Sequence, residues 1–181
     1  MLEISVQITQ EGWDEEKQEF VAPKTVVLQM EHSLVSLSKW ESKWKKAFLS
    51  NKEKTIEESI DYFKCMTLTK NVDPEVYTKL SQKNIVEINE YIQAPMTATY
   101  FAEDKNRKTN KETITSELIY YWMISLNIPF ECQKWHINRL LTLIQVCNIK
   151  NQPPKKMSKR DIMSRNTALN AARRQQFNSR G

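Results

Sequence analysis

Cys132 and His136 stand four residues apart in a stretch of helical apolar spacing, which would put a thiol and an imidazole on one helix face. Such a pair supplies two of the four ligands of a tetrahedral zinc site, and a Cys beside a His can also form an activated nucleophile. Neither chemistry is completed by the rest of the chain. The other histidine is His32, and Cys65 and Cys147 have no paired spacing. No protease-like signature surrounds Cys132, and a helix interior is a poor place for an exposed thiolate. The expectation is a buried thiol and a hydrogen-bonded imidazole in an aromatic-rich core, with no metal. Glu57, Glu58 and Asp61 gather three carboxylates on one helix edge. A paired-carboxylate hydrolase needs such groups in a cleft with their pKa values set apart. The first turn of a helix favours acids through its dipole, so a solvated helix start is the simpler expectation. With only Gly12 and Gly181, the chain lacks the glycines of phosphate-cradling and dinucleotide-binding loops. No cofactor and no enzymatic activity are expected.

Binding is written more strongly than catalysis. Trp40 and Trp44 are i, i+4 neighbours with Lys39, Lys43, Lys45 and Lys46 around them. They could form an aromatic–basic patch for a nucleic acid or protein partner. They could equally be half-buried tryptophans that seal a core beneath a wet lysine face, which is the preferred reading. Residues 150–181 carry nine Lys/Arg against one acid, Asp161, a net +8; because the whole chain is +5, residues 1–149 carry −3. A mildly acidic body thus bears a strongly basic arm. Phosphate binding, docking onto a protein and simple solubilisation all fit that charge. The arm keeps Ala, Asn and Gln at helical spacing in RNTALNAARRQQ, which favours a helix with a protein partner. The candidate partner-binding residues are therefore Lys155, Lys156, Lys159, Arg160, Arg165, Arg173 and Arg174, with Trp40 and Trp44.

The elements that must position these residues read as an α+β chain, mainly α. Leu2, Ile4, Val6 and Ile8 alternate with polar residues, and Val26, Leu28 and Met30 repeat the period. This predicts an antiparallel β ribbon over about 2–30, with a polar connection around Gly12. Ser38-x-x-Glu41 and Thr55-x-x-Glu58 have capping-box spacing, with an earlier start at Ser33 also open for the first helix. Asp73-Pro74 starts a short helix, and residues 82–93 continue as another. MTATYF at 96–101 suits a short strand, followed by a polar surface loop from Ala102 to Glu112. Leu118–Leu126 and Trp135–Val146 form two strongly apolar helices, expected to be the central core hairpin. Pro153-Pro154 separates a body, residues 1–149, from the arm, residues 150–181, which is predicted helical at 158–176 behind a Ser158 cap. Three sparse cysteines suit a reducing compartment. No signal-peptide pattern opens the chain, and no apolar run reaches the ~20 residues of a membrane span.

Three blocks carry a resemblance: EHSLVSLSKWESKWKKAFLS, SELIYYWMISLNIPFECQKWHINRLLTLIQVCN and RNTALNAARRQQFNSRG. Together they resemble proteins encoded in the tail-gene region of long-tailed bacteriophages. The nearest type is the tail assembly chaperone whose gene precedes the tape measure protein. The C-terminal Asn178-Ser179-Arg180-Gly181 is similar to the ends of such proteins. The resemblance implies a non-enzymatic role in binding the tape measure or tail tube proteins in the host cytoplasm. It brings no catalytic residues. On the residues alone no membrane is expected, nucleic acid bound by the basic arm is the second alternative, and a homo-oligomer stays open as a partner. The family is mostly helical, so the ribbon at 2–30 departs from it and leaves open a structural component of the virion tail.

Overall fold

The computed structural model describes residues 1–8, 12–14, 19–21, 23–50, 52–101, 112–152 and 158–178. The fold is mainly helical, with an antiparallel strand pair at its start. Strand β1 (Leu2–Gln7) runs antiparallel to β4 (Thr25–Met30), in register from Leu2↔Met30 to Gln7↔Thr25. Strict alternation turns Ile4, Val6, Leu28 and Met30 into the core and leaves Glu3, Ser5 and Gln7 exposed. Between them β2 (Gly12–Asp14) and β3 (Glu19–Val21) form a second short ladder, with Trp13 opposite Phe20. The connection expected to be a polar turn is therefore partly ribbon. The outer edge of β4 is closed by the chain at 66–69. Glu31 N–H donates to the Met66 carbonyl (2.9 Å), and Leu68 N–H to that of Gln29 (2.7 Å). Gln29 N–H donates to Thr69 Oγ1 (2.9 Å).

Helices α1 (Leu34–Trp44), α2 (Ile56–Met66), α3 (Gln82–Gln93), α4 (Ser116–Ser125), α5 (Ile137–Asn151) and α6 (Lys159–Phe177) follow, with 3-10 helices at Pro74–Lys79 and Phe130–Lys134. The capping box of α1 is Ser33 with Ser36, not Ser38 with Glu41, which lie inside the helix. The earlier start wins because Leu34 and Leu37 already face the core. Thr55 and Glu58 cap α2 reciprocally, and Asp73 caps the turn that begins at Pro74, as their spacings predict. Helix α1 ends where Lys45 takes a left-handed conformation (φ 55°) and returns its N–H to the Glu41 carbonyl.

The centre of the core is α1. Leu34, Leu37 and Trp40 are essentially inaccessible, and α1 packs on α2, α4 and the 3-10 helix at 130–134. This corrects the expected α4–α5 hairpin. Helix α5 buries only the stripe Ile137, Leu140 and Ile144, leaving Leu141, Leu143, Val146 and Cys147 half-buried. The expected strand at 96–101 is not formed. Met96 adopts a positive φ (51°), incompatible with a strand, and Tyr100 is 85% exposed. Nearly all of the expected loop at 102–112 lies outside the described residues. The chain divides into two compact units, Met1–Asn148 and Ile149–Gly181. In the second unit, α6 has a Ser158 N-cap, a left-handed Asn178 C-cap and no buried residue.

Candidate functional site

The candidate residues fall into three places: the α1–α2 seam, a buried polar cluster where β4 meets α5, and α6. At the seam, Trp40 is 1% exposed, and its indole N–H donates to the Glu58 carbonyl (2.8 Å). Trp44 stacks beside it, centroids 6.2 Å apart, and donates to Asp61 Oδ2 (2.9 Å). Lys43 pairs with Asp61 and Lys46 with Glu58, and both ammonium groups also lie over the Trp44 ring, 5.7 and 6.0 Å from its centroid. Lys43 and Lys46 are thus paired with the carboxylates of α2, while Lys39 and Lys45 stay exposed. Trp40 has no surface left for a partner; Trp44 keeps a partly exposed flank.

The acidic edge is likewise not the solvated helix start expected. Glu57 is exposed, but Glu58 and Asp61 are buried. The Lys46 hydrogen bond, then the Thr55 N–H, holds Glu58 below the usual carboxylate range. Burial pushes Asp61 up, but Lys43 and the Trp44 indole outweigh it, so its pKa also falls. Both acids are committed anions at an interhelical contact, unsuited to shuttling a proton.

Cys132 and His136 do not share a helix face. Cys132 lies in the 3-10 helix, and α5 begins only at Ile137. Burial, helped by Glu131, pushes the Cys132 thiol up, which keeps it protonated and unreactive. His136 Nε2 lies 2.9 Å from the Tyr91 carbonyl, and Asn138 N–H donates to its Nδ1 (3.3 Å). The first contact requires a proton on Nε2 and the second a lone pair on Nδ1, so the ring is the neutral Nε2–H tautomer with both nitrogens used. Among the described residues, no group of three His, Cys, Asp or Glu could hold a metal ion.

Two features of this body have no signal in local sequence. The first is the meeting of both histidines, 5.0 Å apart edge to face, although 104 positions separate them in the chain. His32 Nδ1 lies 2.5 Å from the Tyr62 hydroxyl. Ser36 gives its own proton to the Ser33 carbonyl (2.7 Å) and lies 3.4 Å from the Tyr62 hydroxyl. Burial, with His136 as neighbour, lowers the His32 pKa to about 3. Burial also lowers that of His136, partly offset by its bond to the Tyr91 carbonyl. The second feature is Glu41, a buried carboxylate with no cation partner among the described residues. It accepts Phe48 N–H on Oε1 (2.8 Å) and Ser116 N–H on Oε2 (2.7 Å), joining α1 to the first turn of α4. The helix dipole and two N–H donors supply the compensation that a salt bridge would otherwise provide.

Helix α6 places Lys159, Arg160, Arg165, Arg173 and Arg174 in the open; Lys155 and Lys156 lie outside the described residues. At 100° per residue these five cations spread over an arc of about 220°, four of them within about 140°. Ile162 and Leu169 share one face, and Met163 and Phe177, 71% and 72% exposed, share another. Ser158 accepts Asp161 N–H (3.1 Å) and donates to the Asp161 carboxylate (2.7 Å), so the Ser158 side chain caps the start and is itself held in place. The helix is therefore locally encoded, and none of its residues is buried. No protein-family model, curated protein or solved structure matches the chain. Function must be argued from the residues and their geometry. No helix among the described residues is long and apolar enough to cross a membrane.

Proposed function

We propose that this chain is a non-enzymatic protein-binding factor of bacteriophage tail assembly, a tail assembly chaperone that uses α6 to hold a tape measure or tail tube protein in the host cytoplasm. The observation that carries the reading is a 19-residue helix, capped at both ends, that buries none of its side chains. A helix with four large apolar groups in water gains its stability by covering them, and a partner surface does that. Its cations would speed the encounter with an acidic partner and set the orientation. Nucleic acid is a weaker occupant, because Ile162, Met163, Leu169 and Phe177 stand among these cations and would stay in water against phosphates. The buried Cys132 thiol, both imidazoles and the Glu41, Glu58 and Asp61 carboxylates are committed to structural contacts, which suits a binding role.

A second reading, a structural component of the virion tail, is favoured by one observation. The outer edge of β1 has no strand partner among the described residues, and an added strand would take the place of the Asn84 side chain on the Ser5 carbonyl. Co-expression of the chain with tape measure and tube proteins tests the first reading. The full chain should co-purify with one of them, and a chain ending at residue 152 should not. Equal capture by both chains would overturn the role of α6. Mass spectrometry of purified particles separates the readings, since a chaperone is absent and a virion component is present at fixed stoichiometry.

A further inference from the structure

The exposed side chains of α6 follow a heptad order. Counted in sevens from Lys159, the four large apolar residues fall into two neighbouring rows. Ile162 and Leu169 are seven apart in one row, and Met163 and Phe177 are fourteen apart in the other. Between them runs a third row at the same spacing, Lys159, Asn166 and Arg173. The three rows together span about 120° of the helix, and every residue in them is exposed. The opposite side is small, with Ser164, Ala168, Ala171 and Ala172. Two cations therefore stand in the middle of the apolar face and not at its borders. That placement sorts the occupants. A bilayer would draw the middle row into hydrocarbon with the apolar rows, whereas helices that lie on membranes keep their cations on the opposite face. A phosphate backbone would meet the cations and leave the apolar rows in water. A second α6 would match each cation with itself in parallel, or Lys159 with Arg173 in antiparallel, and both are like-charge contacts.

On the reading of α6 as the docking helix, on which this rests, we propose that α6 seats in a groove between two helices of its protein partner, and that this groove has apolar walls and an acidic floor. Ile162 and Leu169 lie against one wall, Met163 and Phe177 against the other. Lys159 and Arg173 meet two carboxylates on the floor, about 21 Å apart by the helical rise over their fourteen-residue separation. Asn166, midway, meets a neutral polar group. Contact along three adjacent rows is the face of a helix that completes a bundle, broader than the seam of a two-helix coil. The middle row also sets the register. A slip of one heptad in either direction turns Asn166 to a carboxylate and a cation to the neutral centre, leaving a buried charge without its counter-ion. Charge complementarity therefore selects both the partner and its alignment.

The test is capture of co-expressed tape measure or tube protein by variants of the full chain, with the affinity for the captured protein then measured by calorimetry. Arg173→Leu separates the occupants, since Leu is as good a helix former as Arg and makes the face more apolar. Against an acidic floor it strands a buried carboxylate and should weaken binding roughly a hundredfold or more. Against a purely apolar groove it should tighten binding. Lys159→Leu should weaken binding in the same way, as should Leu169→Ala with Phe177→Ala. Ala168→Gln with Ala171→Gln, on the opposite side, should leave the affinity unchanged. Because α6 buries no residue, none of these changes should disturb the body, and circular dichroism checks the helix itself. Capture of neither protein by the full chain, or equal capture by a chain ending at residue 152, overturns the docking reading itself. Capture that needs α6 but is as tight or tighter in Arg173→Leu overturns the acidic floor alone. Sedimentation of the full chain with phosphatidylglycerol vesicles at physiological salt, kept or strengthened in Arg173→Leu, would place α6 on lipid and also overturn the proposal.

Discussion

Lowering the pH from 7 to 5 should destabilise the body through the buried histidine pair. His32 is 2% exposed, touches His136 and Tyr62, and has its pKa lowered by burial to about 3. In the unfolded chain its pKa returns to about 6.5. The folded value is the lower one, so the unfolded state binds more protons between the two. The contribution to stability is then full above about pH 6.5 and falls as pH drops towards 3, by about 1.4 kcal/mol per pH unit at its steepest. Between pH 7 and pH 5 the loss from His32 alone is about 2 kcal/mol. For a unit of this size that corresponds to a fall in Tm of about 4–8 °C. His136 shifts in the same direction and adds to the fall. Asp61 and Glu58, whose pKa values are lowered, lose their contributions as the pH falls through and below the ordinary carboxylate range, so the histidines dominate the window from pH 7 to 5. Urea titrations at fixed ionic strength at pH 7, 6 and 5 measure the slope, with His32→Phe as control. The variant retains the ring contact with Phe48 and has nothing to titrate at that position. Its remaining slope should be that of His136 alone. A flat profile for the unmodified chain, or an unchanged slope in His32→Phe, would refute the reasoning.

Glu41→Gln replaces an acceptor oxygen with an NH2 group that must face a backbone N–H, of either Phe48 or Ser116. It should cost about 1.5–3 kcal/mol in denaturant unfolding, although it removes no salt bridge. Trp40→Ala should cost about 3–5 kcal/mol. Trp44→Ala, at a partly exposed position, should cost less, and the difference reads directly as core against rim. Ser158→Ala should destabilise the start of α6 by about 1 kcal/mol, visible as lost helical amide shifts at 159–162. Because α6 buries nothing, the melting temperature of residues 1–148 should not move, as calorimetry would show.

Whatever was encoded over a few neighbouring residues could be read directly from the chain. The β1 and β4 alternation, the Thr55–Glu58 capping box, the Asp73-Pro74 start and the Ser158-capped final helix are patterns of period or cap, set by local geometry. Side-chain pairing between distant segments could not be read in that way. Lys43 and Lys46 look like a wet basic face until α2 brings Asp61 and Glu58 against them. Glu41 looks like a surface acid until α4 begins beside it. His32 and His136 carry no mutual signal, and Cys132 and His136 carried a misleading one, because a 3-10 turn broke the helix that the spacing assumed. Charge asymmetry was legible because it is a sum over residues: a body of −3 and an arm of +8 do not depend on any contact. Which charges are spent inside the fold and which remain for a partner was decided by tertiary structure alone. Burial decides whether an ion keeps its water or must find a partner group, and burial is a property of the packed chain.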